Sequence, residues 1–112
     1  MKREPMLAGQ IDLMVLAVVA RKPSHGYDII KALRVASGGH VDLAEGTLYP
    51  SLYRLEQAGY LASAAETVSG RSRRTYRLTP AGRAALRDRR RAWGDLVASV
   101  NAVIRGAAPD HG

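Results

Sequence analysis

Arg71, Arg73, Arg74 and Arg77 crowd the stretch GRSRRTYRL, and no acidic residue lies between Thr67 and Thr79. Guanidinium groups this close repel one another, and phosphates would relieve the repulsion through charge-assisted hydrogen bonds. A charged turn that is merely solvated is the plainer alternative. The whole chain leans the same way, with 17 Lys and Arg against 10 Asp and Glu, a formal charge of +7 and a pI near 10.4. The excess is uneven: four acidic residues and one base fall between positions 41 and 66, four bases and no acid between 67 and 79. That distribution points to a polyanionic partner met by the basic segment.

A second set of residues lies in EGTLYPSLYRLEQ. Thr47 and Tyr49 offer hydroxyls to phosphates or base edges, Pro50 an apolar ring to a thymine methyl, and Arg54 a guanidinium to phosphate or guanine. If the segment is helical, Leu48, Leu52 and Leu55 mark its buried side. Gly46, Thr47, Pro50, Arg54 and Gln57 then point outward, with Tyr49 and Tyr53 at the flanks. Pro50 removes the backbone bond to the carbonyl of Gly46, and a bend there would present the backbone from Thr47 to Ser51 to a ligand. The competing expectation is a solvated face with Tyr49 packed on the core. Upstream, Tyr27, Lys31 and Arg34 stand at i, i+4 and i+7, one cationic face of a helix. Tyr27 and Lys31 are the candidates there for a phosphate contact that sets register, although Lys31 is nearly as well explained as ordinary surface.

Trp93 is the sole tryptophan. With Leu86, Leu96, Val97, Val100, Val103 and Ile104 it forms a stripe near heptad spacing, which must find a partner helix. Trp93 is therefore either dimer core or the wall of a pocket between protomers that takes a small planar aromatic effector. Gly94 beside it would let another backbone come close. Arg89, Arg90 and Arg91 point three ways on a helix and read as a solvated face.

Other chemistry is poorly supplied. There is no cysteine, so no disulfide framework, thiolate zinc site or thiol nucleophile. His25, His40 and His111 lack metal-ligand spacing, and no paired-carboxylate, Ser/His/Asp or phosphate-loop pattern occurs. The expectation is no enzyme, no metal and no cofactor. The longest apolar run, Leu13 to Ala20, is too short to cross a bilayer, and Met1 to Met6 lacks a signal-peptide layout. A cytoplasmic protein without membrane contact is expected.

Positioning these residues takes three helices, a hairpin and a long helix. The first helix spans Ile11 to Ala20 and stops before Pro23; the second runs from about His25 to Ala36 with Ser24 as N-cap. After the breaker from Ser37 to His40 comes a third, from about Ala44 to Ala58, started by Asp42 and Glu45 in a D-x-x-E box. Strands from Tyr60 to Thr67 and Ser72 to Leu78 flank a Ser69-Gly70 turn. Thr79-Pro80 opens the last helix, expected to reach about Arg105 and span roughly 39 Å. The fold class is thus mainly α with a small β-hairpin, a winged helix-turn-helix plus a long C-terminal helix. Residues 7–78 form the head, 79–106 a dimerisation helix and 107–112 a disordered tail.

Three collinear segments, HGYDIIKAL (25–33), EGTLYPSLYRLEQAGYL (45–61) and GRSRRTYRLTPAGRAAL (70–86), closely resemble the PadR family of bacterial regulators. The resemblance implies a homodimer on an inverted-repeat operator of double-stranded DNA, repression, and in many members release by a small molecule. The single C-terminal helix is similar to the subgroup without a separate C-terminal domain, in which aromatic residues of this helix line a cavity. Ala44 departs from the family pattern, which often has a capping Ser there. A different class of function, a winged-helix module that binds a basic protein through Glu45 and Glu56, is the alternative; random against palindromic duplex in a mobility shift separates the two.

Overall fold

In the computed structural model, residues 6–106 are described, so the expected disordered tail lies outside the described residues. Helix α1 (Ala8–Arg21) starts where Gln10 Oε1 accepts the N–H of Leu7 at 2.9 Å, and it ends at Lys22, which precedes Pro23. Ile11, Val15, Leu16, Val18 and Val19 are buried over much of its circumference. The reason is central placement: α1 packs against every other helix and against a strand.

Ser24 does not cap the next helix. Ser24–His25 is instead a short strand, β1, and the Ser24 hydroxyl donates back to the Lys22 carbonyl at 3.0 Å. Helix α2 (Gly26–Ala36) follows with His25 at its N-cap position, and Ile29, Ile30 and Leu33 face the core. Helix α3 (Glu45–Gln57) also differs at its start. Ala44 is the N-cap without a side-chain bond, and Asp42 pairs with Arg34 at 3.5 Å instead of capping. The helix passes through Pro50 uninterrupted. It stops in a Schellman motif: Gly59 has φ +81°, its N–H bonds the Glu56 carbonyl, and the Tyr60 N–H bonds that of Leu55 at 2.9 Å.

Strands β2 (Leu61–Val68) and β3 (Arg71–Leu78) pair antiparallel from Leu61↔Leu78 to Val68↔Arg71. Ser69 (φ 53°) and Gly70 (φ 77°) both adopt left-handed geometry, as a two-residue type I′ hairpin loop requires. β1 adds to the free edge of β3 through Ser24↔Tyr76 and His25↔Thr75, giving a three-stranded sheet of order β1-β3-β2. The hairpin is therefore anchored to the start of α2 as well as to α3.

Thr79 caps α4 (Pro80–Ile104) as its sequence requires. Its Oγ1 accepts the Gly82 N–H at 2.9 Å and donates to the Gly59 carbonyl at 2.6 Å. Gly82 is needed on packing grounds, since a Cβ there would overlap the Tyr60 carbonyl oxygen. Twenty-five residues make α4 roughly 37 Å long. The radius of gyration is 16.8 Å, against about 13 Å for a compact chain of about this size, because α4 extends past the head. Leu86 belongs to its seated part. That leucine is buried in the core with Leu16, Leu48, Leu55 and Leu61, which removes it from the apolar seam where its spacing had placed it. Its turn of α4 lies over the body, whereas the later turns project.

Candidate nucleic-acid interface

The outward side of α3 presents Thr47, Tyr49, Pro50 and Tyr53 to solvent. Tyr49 is seated at one end and exposed over the rest. It is 43% exposed, and its hydroxyl end seats against Gly26, where any Cβ would overlap it. Gly26 thus lets the start of α2 hold one end of the ring and leaves the rest on the surface. A groove of about 490 Å³ opens alongside, lined by His25, Tyr27, Tyr49, Arg71, Arg73, Arg74 and Tyr76 together with Gly26 and Ser72. Helix, wing and α2 N-terminus meet there. Its lining has cations, ring faces and hydroxyls and no carboxylate, a composition that suits a phosphodiester backbone.

Alternation along β3 sorts the arginines. Arg71, Arg73 and Arg77 share the outer face of the sheet, while Arg74 shares the other with buried Tyr76. Arg73 Nη1 lies 3.0 Å from Nε2 of His25, which in turn lies 2.9 Å from Asp28 Oδ2. That ring nitrogen can serve the guanidinium as acceptor or the carboxylate as donor, not both at once. Arg74 donates to Ser63 Oγ at 3.1 Å, and Ser63 donates to Glu56 Oε2 at 2.7 Å, so Arg74 is tied into a chain ending on α3. Glu56, one of the two acidic groups behind the protein-binding alternative, is consequently turned to the sheet. Burial pushes the Tyr76 hydroxyl above the ordinary tyrosine range, with Glu56 and Tyr49 adding to the rise and Arg74 opposing it.

Two expected α3 contacts take different places. Ser51 is fully buried, because it lies three residues after Leu48 and four before Leu55, on the leucine side of the wheel. It cannot reach DNA from there. Its hydroxyl donates to Asp12 Oδ1 at 2.5 Å. Arg54 is partly exposed but bends back to the same carboxylate, with Nη2 at 2.8 Å from Oδ1 and Nε at 3.4 Å from Oδ2. The hydrogen bond to Asp12 raises the Arg54 pKa still further, against the opposing effect of burial. Arg54 is thus an intramolecular partner first. Asp12 is not among the residues expected from sequence, though a lone carboxylate in IDLMVLAVVA is a signal that it needs a buried partner. On α2, Tyr27 reaches the groove beside the wing, but exposed Lys31 does not. Lys31 lines a separate depression of about 420 Å³ with Arg21, Lys22 and Asp28.

Residues 15–88, well over half of the chain, match the transcriptional regulator PadR-like family. The chain belongs to the PadR family. Transcriptional regulator Rv3488 of Mycobacterium tuberculosis (strain ATCC 25618 / H37Rv) is 55% identical over 58 residues, 52% of this chain and 54% of that protein. The match thus spans about half the length of that relative. The crystal structure of smu.1704 from Streptococcus mutans UA159 is similar at a TM-score of 0.81 and 30% identity, covering 98% of this chain and 100% of that one. A PadR family transcriptional regulator from Eggerthella lenta DSM 2243 aligns at a TM-score of 0.76 and 33% identity, over 86% and 82% of the two chains. Membership makes this a DNA-binding transcriptional regulator and not an enzyme, with the winged-helix fold of its relatives. Among the described residues no helix is long and apolar enough to cross a membrane.

On this PadR-family chain the remaining candidates lie along α4. Trp93 is 42% exposed and stands between two shallow depressions over the start of α1, one of about 480 Å³ shared with Leu7, Gln10, Asp12, Leu13, Arg89 and Leu96, the other of about 290 Å³ shared with Met6, Met14 and Val41. Beyond it Leu96, Val100, Val103 and Ile104 are exposed and Val97 is half-buried. The stripe from Trp93 to Ile104 is therefore continuous and largely uncovered within one chain.

Proposed function

We propose that this PadR-family chain is a ligand-responsive repressor that binds an inverted-repeat DNA operator as a homodimer in the cytoplasm. Residues 7–78 act as the DNA-binding head and 79–106 as the dimerisation helix. The observation that carries the reading is the carboxylate-free groove in which the recognition helix, the wing and the start of α2 bring Tyr27, Tyr49, Arg71, Arg73 and Arg74 together. Thr47, Tyr49 and Pro50 on α3 meet base edges in the major groove, Arg71 and Arg73 meet flanking phosphates, and Arg74 joins them if released from Ser63. Lys31 contacts backbone further out.

The uncovered α4 seam supports the dimer. Five large apolar side chains, from Trp93 to Ile104, in solvent on one projecting helix are poorly tolerated unless a second copy covers them. Two-fold pairing would set the recognition helices about one DNA turn apart, ~34 to 36 Å. A planar aromatic effector stacked on Trp93 would alter the angle between the heads and lower operator affinity without touching a DNA contact. Light scattering of the intact chain should give twice the 12.1 kDa protomer mass. Trp93→Ala should keep that mass and operator binding while abolishing release by aromatic compounds, which in the native chain quench Trp fluorescence. A monomeric Trp93→Ala chain makes Trp93 dimer core and removes the effector site.

A further inference from the structure

We propose that Asp12 is a positioning residue for operator recognition, fixing the rotation of α3 through Ser51 and Arg54. Asp12 is only 8% exposed, on a helix whose other buried positions are all aliphatic. A carboxylate is costly there unless its oxygens are bonded. Both are: Oδ1 accepts from Ser51 Oγ at 2.5 Å and Arg54 Nη2 at 2.8 Å, and Oδ2 faces Arg54 Nε at 3.4 Å. Ser51 and Arg54 stand three residues apart, so one carboxylate holds two points a turn apart on α3. Packing by Leu48, Leu52 and Leu55 is non-directional and leaves the helix free to roll slightly. Hydrogen bonds to a fixed carboxylate are directional and do not. Any roll would displace Thr47, Tyr49 and Pro50, which lie on the solvent side of the same helix.

The pairing has a second effect. It neutralises a guanidinium at the edge of the DNA-facing helix, so Arg54 adds little sequence-independent attraction to phosphate. Loss of Asp12 should therefore act in opposite directions on two duplexes. The operator is bound less well because α3 is no longer held, while random DNA is bound as well or better because Arg54 is released. A residue that served stability alone would lower both.

The test rests on α3 reading DNA. It uses the full chain, an operator duplex selected from the organism's genome and a scrambled duplex, with affinities measured by fluorescence anisotropy over a salt series. Asp12→Asn keeps an acceptor for Ser51 and the side-chain shape but removes the charge. Its operator-to-scrambled affinity ratio should fall about tenfold, the size of one lost base-pair preference. Its slope of log affinity against log salt on scrambled DNA should steepen by about 0.9, one added phosphate contact. Arg54→Met should lower the ratio similarly without steepening the slope, and the double variant should be no worse than either single, since both remove one interaction. If Asp12→Asn does not fold, Arg54→Met and Ser51→Ala decide the matter, and an unchanged ratio in both overturns the proposal. It is equally overturned if Asp12→Asn folds with its ratio intact, or if Arg54→Met alone weakens both duplexes, which makes Arg54 a direct DNA contact. A native chain that binds both duplexes equally contradicts the reading of α3 itself.

Discussion

Tyr49 shows how far a residue's type can carry an inference and where geometry must take over. Its place beside the leucine stripe, with the flanking pattern, favours a DNA-facing ring and leaves a core-packed ring as the competing expectation. Gly26, whose missing side chain admits the hydroxyl end of the phenol, accounts for a ring seated at one end while the residue as a whole is 43% exposed. Truncation should therefore cost recognition more than stability. Tyr49→Ala is expected to narrow the affinity gap between operator and random duplex by about tenfold, within the ~1 to 3 kcal/mol ascribed to one base-edge contact. Its far-ultraviolet circular dichroism should match the native chain; an unfolded variant would make Tyr49 a core residue. Ser51 and Arg54 share a partner that their own segment does not contain. The leucine wheel puts Ser51 on the buried side and Arg54 outward, but it does not reveal an acid 39 positions upstream of Ser51. The lone charge inside an apolar helix was visible, but its partners were not.

At the scale of elements, punctuation was the most legible feature. Pro23, Gly59, Ser69-Gly70 and Thr79-Pro80 each mark a boundary by a local steric or capping requirement, and the structure ends or starts an element at each. The starts of α2 and α3 were less legible, since Ser24 and Asp42 are competent caps claimed by other partners, a strand and Arg34. β1 left no trace in the sequence because a two-residue strand exists only through its neighbour. Alternation along β3, itself legible in the sequence, sorts the wing arginines. Arg71 and Arg73 lie on the outer face, whereas Arg74 is tied to Ser63 and Glu56, so the four arginines are not equivalent. The variant Arg71→Ala/Arg73→Ala should weaken binding to every duplex and make the slope of log affinity against log salt shallower by about 1.8, two phosphate contacts at about 0.9 each. Arg74→Ala should change that slope less. Equal slopes for all three chains would take the wing off the DNA.

Among the described residues the molecule is a winged-helix body with a rod attached, and the length of the 25-residue rod was readable from the unbroken stretch between Thr79-Pro80 and Gly106. How much of that rod lies on the head was not readable. Heptad spacing runs from Leu86 onward, but Leu86 closes the core and the uncovered seam begins at Trp93. A periodic pattern gives the direction of a helix face without saying which molecule covers it. The claim that joins all three scales is that this PadR-family chain discriminates one duplex sequence from another through the face it presents between α3 and the wing. Its most direct measurement is the affinity of the intact chain for a palindromic duplex selected from the genome and for a scrambled duplex of equal length, from about 50 to 200 mM salt. The palindrome should bind at least about 10³-fold more tightly at physiological salt, with affinity for both falling steeply as salt rises. Equal affinities for the two duplexes across that range would contradict the account.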